Sequence, residues 1–364
     1  MKAPVSIISA AILISIAFSA EASRPERTNP ARLLKDTRQE RTVGGIEVID
    51  DCFSTMTYRA DYRLDKLLER GCAGTAPLLG FIGEELLDMA AMQGELRAAC
   101  SAFTCRTPKG DVLFCRNFDY PFKAPSEMLV RVPAKVSGGN ASLSIASLNF
   151  LEYSKGQLQD GRTDLSKLVG APYALMDGMN GKGLAICVLE VDGMGAQQFD
   201  KSKKAISTSV AMRHVLDHAS NVDEAVEIFR EHNFFAHGTR QKSSYHFFVA
   251  DRSGRSVVIE YVLPGKFRGP RSGESFEMKV FEVSSVANNY IWQDWDNPKE
   301  SHTRDNAMKA ALMASKGVLD ESQAWKLLGQ AAQGHTRWSV IYNLTKRTAD
   351  ISWELSGRTE HFKL

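Results

Sequence analysis

One stretch of this sequence holds residue types whose spacing could support nucleophilic catalysis. Residues 100–119 read CSAFTCRTPKGDVLFCRNFD, with a thiol at Cys100 and the group Arg116-Asn117-Phe118-Asp119 at the far end. A cysteine of ordinary pKa, about 8.5, is only a few per cent thiolate at neutral pH, so it needs a base or a nearby cation. Arg116 could supply the cation. Thr107, Pro108, Lys109, Gly110 and Asp111 are turn formers between flanks rich in apolar, aromatic and β-branched residues, which predicts a hairpin. A turn centred near Lys109–Gly110 pairs residues whose numbers sum to about 219 or 220, setting Cys100 opposite Asp119 or Tyr120. Arg116 and Asp119 are an odd number of residues apart, so a straight strand points them to opposite faces. Both reach Cys100 only if the chain bends or bulges near Asn117–Phe118. The alternative for Cys100 is a buried structural thiol, the commoner state of a free cysteine.

The spacing resembles the start of the mature chain in the choloylglycine hydrolase, penicillin V acylase and acid ceramidase group, the N-terminal-nucleophile hydrolases of linear amides. In that family an Arg follows the Cys by sixteen residues and an Asp by nineteen, in an R-N-x-D context; Arg116 and Asp119 stand at those offsets from Cys100. The resemblance implies a precursor that cuts itself before Cys100, freeing an amine that serves as base for its own thiol. A free α-amine titrates near about 7.7–8.0 and can take the thiol proton without a histidine. Arg116 would favour the thiolate, and Asp119 would hydrogen-bond the ammonium. No metal or organic cofactor is implied.

Further positions extend the resemblance. Asp177-Gly178-Met179-Asn180-Gly181-Lys182-Gly183-Leu184-Ala185 is similar to the family's D-x-x-N-x-x-G-L-A strand entry. Five residues beyond Ala185, where bile-salt hydrolases carry Asn and penicillin V acylases Tyr, stands Glu190, as in the acid ceramidase and N-acylethanolamine amidase branch. Its backbone N–H is the implied oxyanion donor. Asn288 resembles the family's oxyanion-hole asparagine, although Asn289 beside it could take that place, and strand alternation lets only one of the two face the site. Arg304 resembles the family's late arginine. Other constellations are weaker. His214 and His218 are four apart on a predicted helix but lack an HExxH pattern or an evident third ligand. His237, His246 or His335 could partner a thiolate, without the local sequence of papain-like enzymes. Tyr290, Trp292 and Trp295 crowd beyond Asn288, either lining an acyl pocket or packing a core.

The elements that must position these residues follow from periodicity. Residues 23–45 are charged and aperiodic, predicting a flexible tail. Helical spacing appears over 61–70 and 81–97, separated by a Gly-rich loop. Beyond the hairpin, strands are predicted over 127–133, 142–150, 184–191, 245–250, 256–262, 277–287, 338–344 and 348–355. Helices are predicted over 164–176, 208–218, 222–231, 303–314 and 320–330, with a turn at 177–181. Paired strands alternating with paired helices suggest an α+β fold of stacked antiparallel sheets covered by helices. The resemblance implies the four-layer αββα sandwich of N-terminal-nucleophile hydrolases.

The first residues hold Lys2, an apolar run of roughly fifteen residues and Ala20-Glu21-Ala22, the pattern of a secretory signal peptide cut after about residue 22. The run is shorter than the about 20 residues of a transmembrane anchor. The expected organisation is a signal peptide over 1–22, a mostly helical pro-segment or retained α-subunit over 23–99, and a catalytic domain over 100–364. Localisation would be secreted or periplasmic, lysosomal or extracellular in a eukaryote. With 45 basic and 43 acidic residues the net charge is +2, which gives no bias toward nucleic acid. Six cysteines allow two pairings, Cys105 with Cys115 and Cys52 with Cys72. The reading is a self-processing cysteine amidase acting on small-molecule N-acyl amides through a thioester. The rivals are an acyltransferase using the same thioester and a non-catalytic secreted binding protein in which Cys100 stays internal.

Overall fold

The computed structural model describes residues 34–87, 99–192, 195–236, 243–263, 275–292, 299–354 and 358–364. The expected signal peptide, the end of the helix read over 81–97, His237 and Trp295 lie outside the described residues. Two large sheets dominate a mixed α/β arrangement. The first elements are α1 (Thr37–Val43), β1 (Ile46–Val48), β2 (Phe53–Thr57), α2 (Leu64–Arg70) and α3 (Thr75–Phe81). The hairpin β3 (Ala99–Arg106) and β4 (Val112–Asp119) follows, then β5 (Glu127–Val132), β6 (Ser142–Ser147), β7 (Leu175–Asn180) and β8 (Leu184–Asp192). Next come β9 (Ala205–Ser207), α4 (Thr208–His218), α5 (Val222–Arg230), β10 (Asn233–Phe235), β11 (Ser243–Asp251), β12 (Ser256–Val262), β13 (Glu277–Glu282) and β14 (Ser285–Val286). The chain closes with α6 (Lys299–Ala314), α7 (Glu321–Ala331), β15 (Thr336–Asn343), β16 (Thr348–Trp353) and β17 (Glu360–Lys363).

Nine strands form one sheet in the order β1-β2-β5-β6-β7-β8-β11-β12-β13, and six form the other in the order β14-β3-β4-β15-β16-β17. Helix α4 packs on β7 and β8, α5 on β11 and β12, α6 on β14 and β3, and α7 on β4 and β15. Strand alternation assigns each side chain of the hairpin to a layer. Phe103, Cys105, Leu113 and Cys115 join Ile341 in a core shared with Met308, Leu312, Leu327 and Leu328 of the helices. Ala102, Phe114 and Phe118 turn the other way, into the core between the sheets.

Several local readings are corrected by packing. Residues 34–45 are not a plain tail, since Asp36 caps α1 and Gln39 and Thr42 of that helix are buried. The helix read over 164–176 is a 3₁₀ segment at Ser166–Tyr173, and the turn read over 177–181 is mostly strand β7. Gly178 misled the reading because glycine usually punctuates. Here it is required by close approach: a Cβ would sit 2.8 Å from the Leu143 carbonyl oxygen and from Leu216 Cδ1 of α4. The single strand read over 277–287 breaks in two. β13 ends the nine-stranded sheet and β14 joins the six-stranded one, so this segment crosses between the sheets just before Asn288. All six cysteines are free, so neither pairing forms.

The segment before Cys100 is built into the fold. β2 pairs with β5 in parallel and extends the nine-stranded sheet. The Tyr58 hydroxyl donates to Val169 O at 2.6 Å, and that of Tyr62 to Asp217 Oδ2 at 2.6 Å. Phe53 stacks on Trp353 with ring centroids 4.3 Å apart. Among the described residues no helix is long and apolar enough to cross a membrane.

Candidate active site

The β3–β4 turn closes through Thr107 N–H to Asp111 O at 2.8 Å and Gly110 N–H to Thr107 O at 2.9 Å, with Gly110 at φ +89. Only glycine adopts that left-handed conformation without strain. The turn is therefore centred on Lys109, and the register runs Ala99↔Asp119, Cys100↔Phe118 and Ala102↔Arg116. Cys100 faces Phe118, not Asp119 or Tyr120 as read from sequence. One residue of register has a chemical consequence, because opposed residues share a face. Cys100, Arg116 and Phe118 lie on the side facing the other sheet, and Asp119 lies on the reverse side. The β3–β4 ladder runs unbroken from Ala99↔Asp119 to Arg106↔Val112, so the expected bulge at Asn117–Phe118 does not form there. The irregularity sits one strand over, where β15 spends an extra residue between Thr336 and Trp338 opposite Phe118–Asp119.

Arg116 reaches the thiol: its Nη2 donates to Cys100 Sγ at 3.3 Å, and its Nε donates to Asp177 Oδ2 at 2.7 Å. Arg116 and Asp177 are both fully buried. Asp177 also accepts from Trp338 Nε1 at 2.9 Å and from the Tyr342 hydroxyl at 2.6 Å. Burial pushes the Asp177 carboxyl above its usual range, opposed by Arg116 and these hydrogen bonds. Burial works against the charge on Arg116, yet Cys100, Cys187 and Asp177 around it raise its pKa overall. Nη1 of Arg116 is buried with no hydrogen-bond partner. Burial also pushes the Cys100 thiol up to about 11, against the pull of Arg116. In the continuous chain the sulfur is thus a neutral thiol at neutral pH.

The peptide side of Cys100 is held by other elements. Cys100 N–H donates to Asn288 Oδ1 at 2.7 Å, and Arg304 Nη1 donates to Cys100 O at 2.9 Å. Arg304 Nη2 also donates to Asn288 Oδ1 at 2.8 Å, and Asn288 Nδ2 donates to the Glu190 carbonyl at 2.6 Å. Asp119 accepts from Thr336 at 2.5 Å, Gln333 at 3.2 Å and Arg304 at 3.5 Å. Burial raises the Asp119 carboxyl, with the Thr336 bond and the Arg304 charge pulling it down. The other five residues singled out in the sequence therefore gather around Cys100: Arg116 at the sulfur, Asn288 and Arg304 at its peptide groups, Glu190 through Asn288, and Asp119 through Arg304. The choice between the adjacent asparagines is resolved, since Asn289 points away and donates to Asp305 Oδ2 at 3.4 Å.

Sequence reasoning missed Asp177 as a site residue, although it opens the quoted strand-entry motif. It also missed an aromatic run leading away from Cys100. Phe118 stacks on Trp338 with centroids 4.1 Å apart, and Tyr120 stacks on Phe122 at 3.9 Å. Phe150 meets the rings of Tyr120 and Phe122 edge-on at 6.0 and 5.6 Å. Tyr120, Phe122 and Phe150 are half-buried. The rival histidines are placed elsewhere. His246 bonds Glu260 Oε1 and Ala287 O, both at 3.1 Å. His214 and His218 bring their Nδ1 atoms within 2.9 Å, with the His232 ring beside His214 at 5.4 Å. Burial and these two neighbours push His214 down to about 3.

Residues 100–265 match the profile of the linear amide C–N hydrolases, choloylglycine hydrolase family. By sequence, this segment is similar to the choloylglycine hydrolases. The chain is also 31% identical over 184 residues to a penicillin V acylase from Pectobacterium atrosepticum, a match covering 45% of this chain and 44% of that one. It thus spans less than half the length of this curated relative. Two solved structures share the fold. A variant of conjugated bile acid hydrolase from Clostridium perfringens superposes with a TM-score of 0.51, at 14% identity over 72% of this chain and 92% of that one. Penicillin V acylase from Agrobacterium tumefaciens gives 0.50, at 15% identity over 73% and 86%. The matched segment starts at Cys100 itself, the residue on which the site converges. Asn288 and Arg304 lie beyond its end and join the site through the fold.

Proposed function

We propose that this chain is a self-processing cysteine amidase that hydrolyses linear, non-peptide C–N bonds of N-acyl amides. The observation that carries the reading is the convergence on Cys100, with Arg116 on its sulfur, Asn288 on its N–H and Arg304 on its carbonyl. Cleavage of the Ala99–Cys100 bond turns that N–H into an amine, already beside an acceptor, which takes the thiol proton. The sulfur attacks the amide carbonyl carbon. Asn288 Nδ2–H and the Glu190 backbone N–H hold the oxyanion, and its collapse expels the amine, which leaves with the proton. Water then adds to the thioester carbon, and breakage of the C–S bond releases the carboxylic acid and regenerates the thiol. The aromatic run from Phe118 to Phe150 suits an apolar acyl chain.

Around this site we read a four-layer αββα sandwich, supported by helices packed on the outer faces of both sheets. Residues 1–22 would direct export to a secreted or periplasmic location and be removed. Residues 34–87 would stay bound after cleavage as a short subunit, because β2 is a sheet strand and Tyr58 and Tyr62 are core. The test is the intact mass of purified wild-type protein and of Cys100→Ala under reducing, denaturing conditions. The expected result is a wild-type fragment starting at Cys100 that the variant lacks, with hydrolysis of lauroyl para-nitroanilide only by the cut form. A wild-type chain that stays whole after prolonged mildly acidic incubation, or that is cut yet leaves a series of acyl para-nitroanilides untouched, would sink the reading.

A further inference from the structure

The segment from Ala287 to Trp292 follows β14 and carries Asn288, yet it has no regular secondary structure. A loop that must hold a side chain to a few tenths of an ångström needs its backbone groups fixed by something rigid. Two side chains of the nine-stranded sheet do this. His246 precedes Phe247 on β11, which pairs with Ile259 on β12, and Glu260 follows Ile259, so the two lie side by side on one face. The His246 Nε2 bonds the carbonyl of Ala287, and its Nδ1 bonds Glu260 Oε1, both at 3.1 Å. Glu260 then accepts Ile291 N–H on Oε1 at 2.7 Å and Trp292 N–H on Oε2 at 3.2 Å. Both side chains are fully buried.

We infer that His246 and Glu260 are a positioning pair for Asn288, clamping the loop one residue before it and three to four residues after it. The inference rests on the proposed role of Asn288 as oxyanion donor. The bonds of both residues go to the loop, and each acts through it. With both ends pinned, Asn288 is left to face Cys100, Glu190 and Arg304, while Asp305 holds Asn289 on the other side. A hydrogen-bonded pair of ionisable groups is rarely kept in a core for stability, since apolar residues of like volume usually serve as well.

The test is a double-mutant cycle on the processed enzyme, with lauroyl para-nitroanilide as substrate and thermal melting alongside. Asn288→Ala is expected to lower kcat by about 10²–10³-fold. His246→Gln keeps a donor for Ala287 but loses the bond to Glu260, and should lower kcat about tenfold with KM within about twofold. In the double variant kcat should match Asn288→Ala alone, because a donor already lost cannot be misplaced. Glu260→Gln, which retains an acceptor for Ile291, should fall between wild type and His246→Gln and covers the case where the histidine variant does not fold. Multiplying losses in the double variant would overturn the clamp while leaving Asn288 catalytic, as would a His246→Gln or Glu260→Gln enzyme with unchanged kcat. An Asn288→Ala enzyme of full kcat would overturn both the oxyanion reading and the clamp.

Discussion

The two sides of Cys100 are built differently. On the sulfur side, Arg116 and Asp177 are sealed between the sheets, fully buried, with Trp338 and Tyr342 completing the carboxylate's partners. All four sit on strands. On the peptide side, Asn288 stands on an irregular loop, Arg304 on helix α6 and Asp119 at the end of β4, and Arg304 remains 14% exposed. The sulfur side is part of the core, so it cannot be altered without touching stability. The peptide side is attached to the core, so it can be altered with the fold intact. This separation suits the proposed self-processing, in which the sulfur is held in place before and after the cut while the backbone nitrogen changes from an amide to an amine.

The sharpest way to break this comparison is to remove one arginine from each side. Arg116→Met leaves the Asp177 carboxylate buried without its cation, which should cost about 3–5 kcal/mol of stability together with all activity. Adding Asp177→Asn should recover most of that stability and none of the activity, read by denaturant melts and by turnover of the para-nitroanilide. Arg304→Gln should do the reverse. Asp119 keeps Thr336 and Gln333, so stability should stay within about 1 kcal/mol, while kcat falls about tenfold to a hundredfold as Cys100 and Asn288 lose their shared donor. Equal stability losses for the two arginines would remove the distinction.

A smaller effect is expected at the aromatic run. Phe122→Ala and Phe150→Ala should each raise KM for lauroyl para-nitroanilide about tenfold and leave that for the acetyl analogue within about twofold, since each removes ring surface of roughly 1–3 kcal/mol. Loss on both substrates alike would assign these rings to the fold.

How far the sequence exposed this arrangement depended on whether a residue's role was local. The offsets of Arg116 and Asp119 from Cys100, with the matched positions of Glu190, Asn288 and Arg304, picked out residues that converge in space. The register slipped by one because a five-residue turn and a four-residue turn share the same composition. The odd spacing of Arg116 and Asp119 had already implied opposite faces, and the two residues do serve opposite sides of Cys100 without a bulge in β4. Asp177 was quoted in its motif but its role was hidden, because its partners Arg116, Trp338 and Tyr342 come from three distant parts of the chain. The break between β13 and β14 was invisible for a related reason. One apolar run can serve two sheets, and only the sheets' separation says where it must bend.

Glu127 sharpens the comparison from the side of the carboxylates. Like Asp177 it is buried in the nine-stranded sheet, but both of its oxygens lack partners, and so does the hydroxyl of Ser147 directly across β6. Burial raises its pKa well above the ordinary value. The folded state then holds a proton that the unfolded chain releases once pH passes the usual glutamate range near about 4.3. Stability from this group is therefore full at acid pH and declines as pH rises from that range toward the raised folded value. Glu127→Gln never ionises, so it should flatten this decline and gain roughly 1 kcal/mol at neutral pH, of the order of other single stabilising changes. Asp177→Asn should instead destabilise at the same pH, because an amide N–H₂ would have to face the indole N–H of Trp338 or the hydroxyl of Tyr342. Melting curves of both variants from acid to neutral pH measure the difference. If both fell together, burial alone would govern these carboxylates, and the three donors around Asp177 would not be what sets the sulfur side apart.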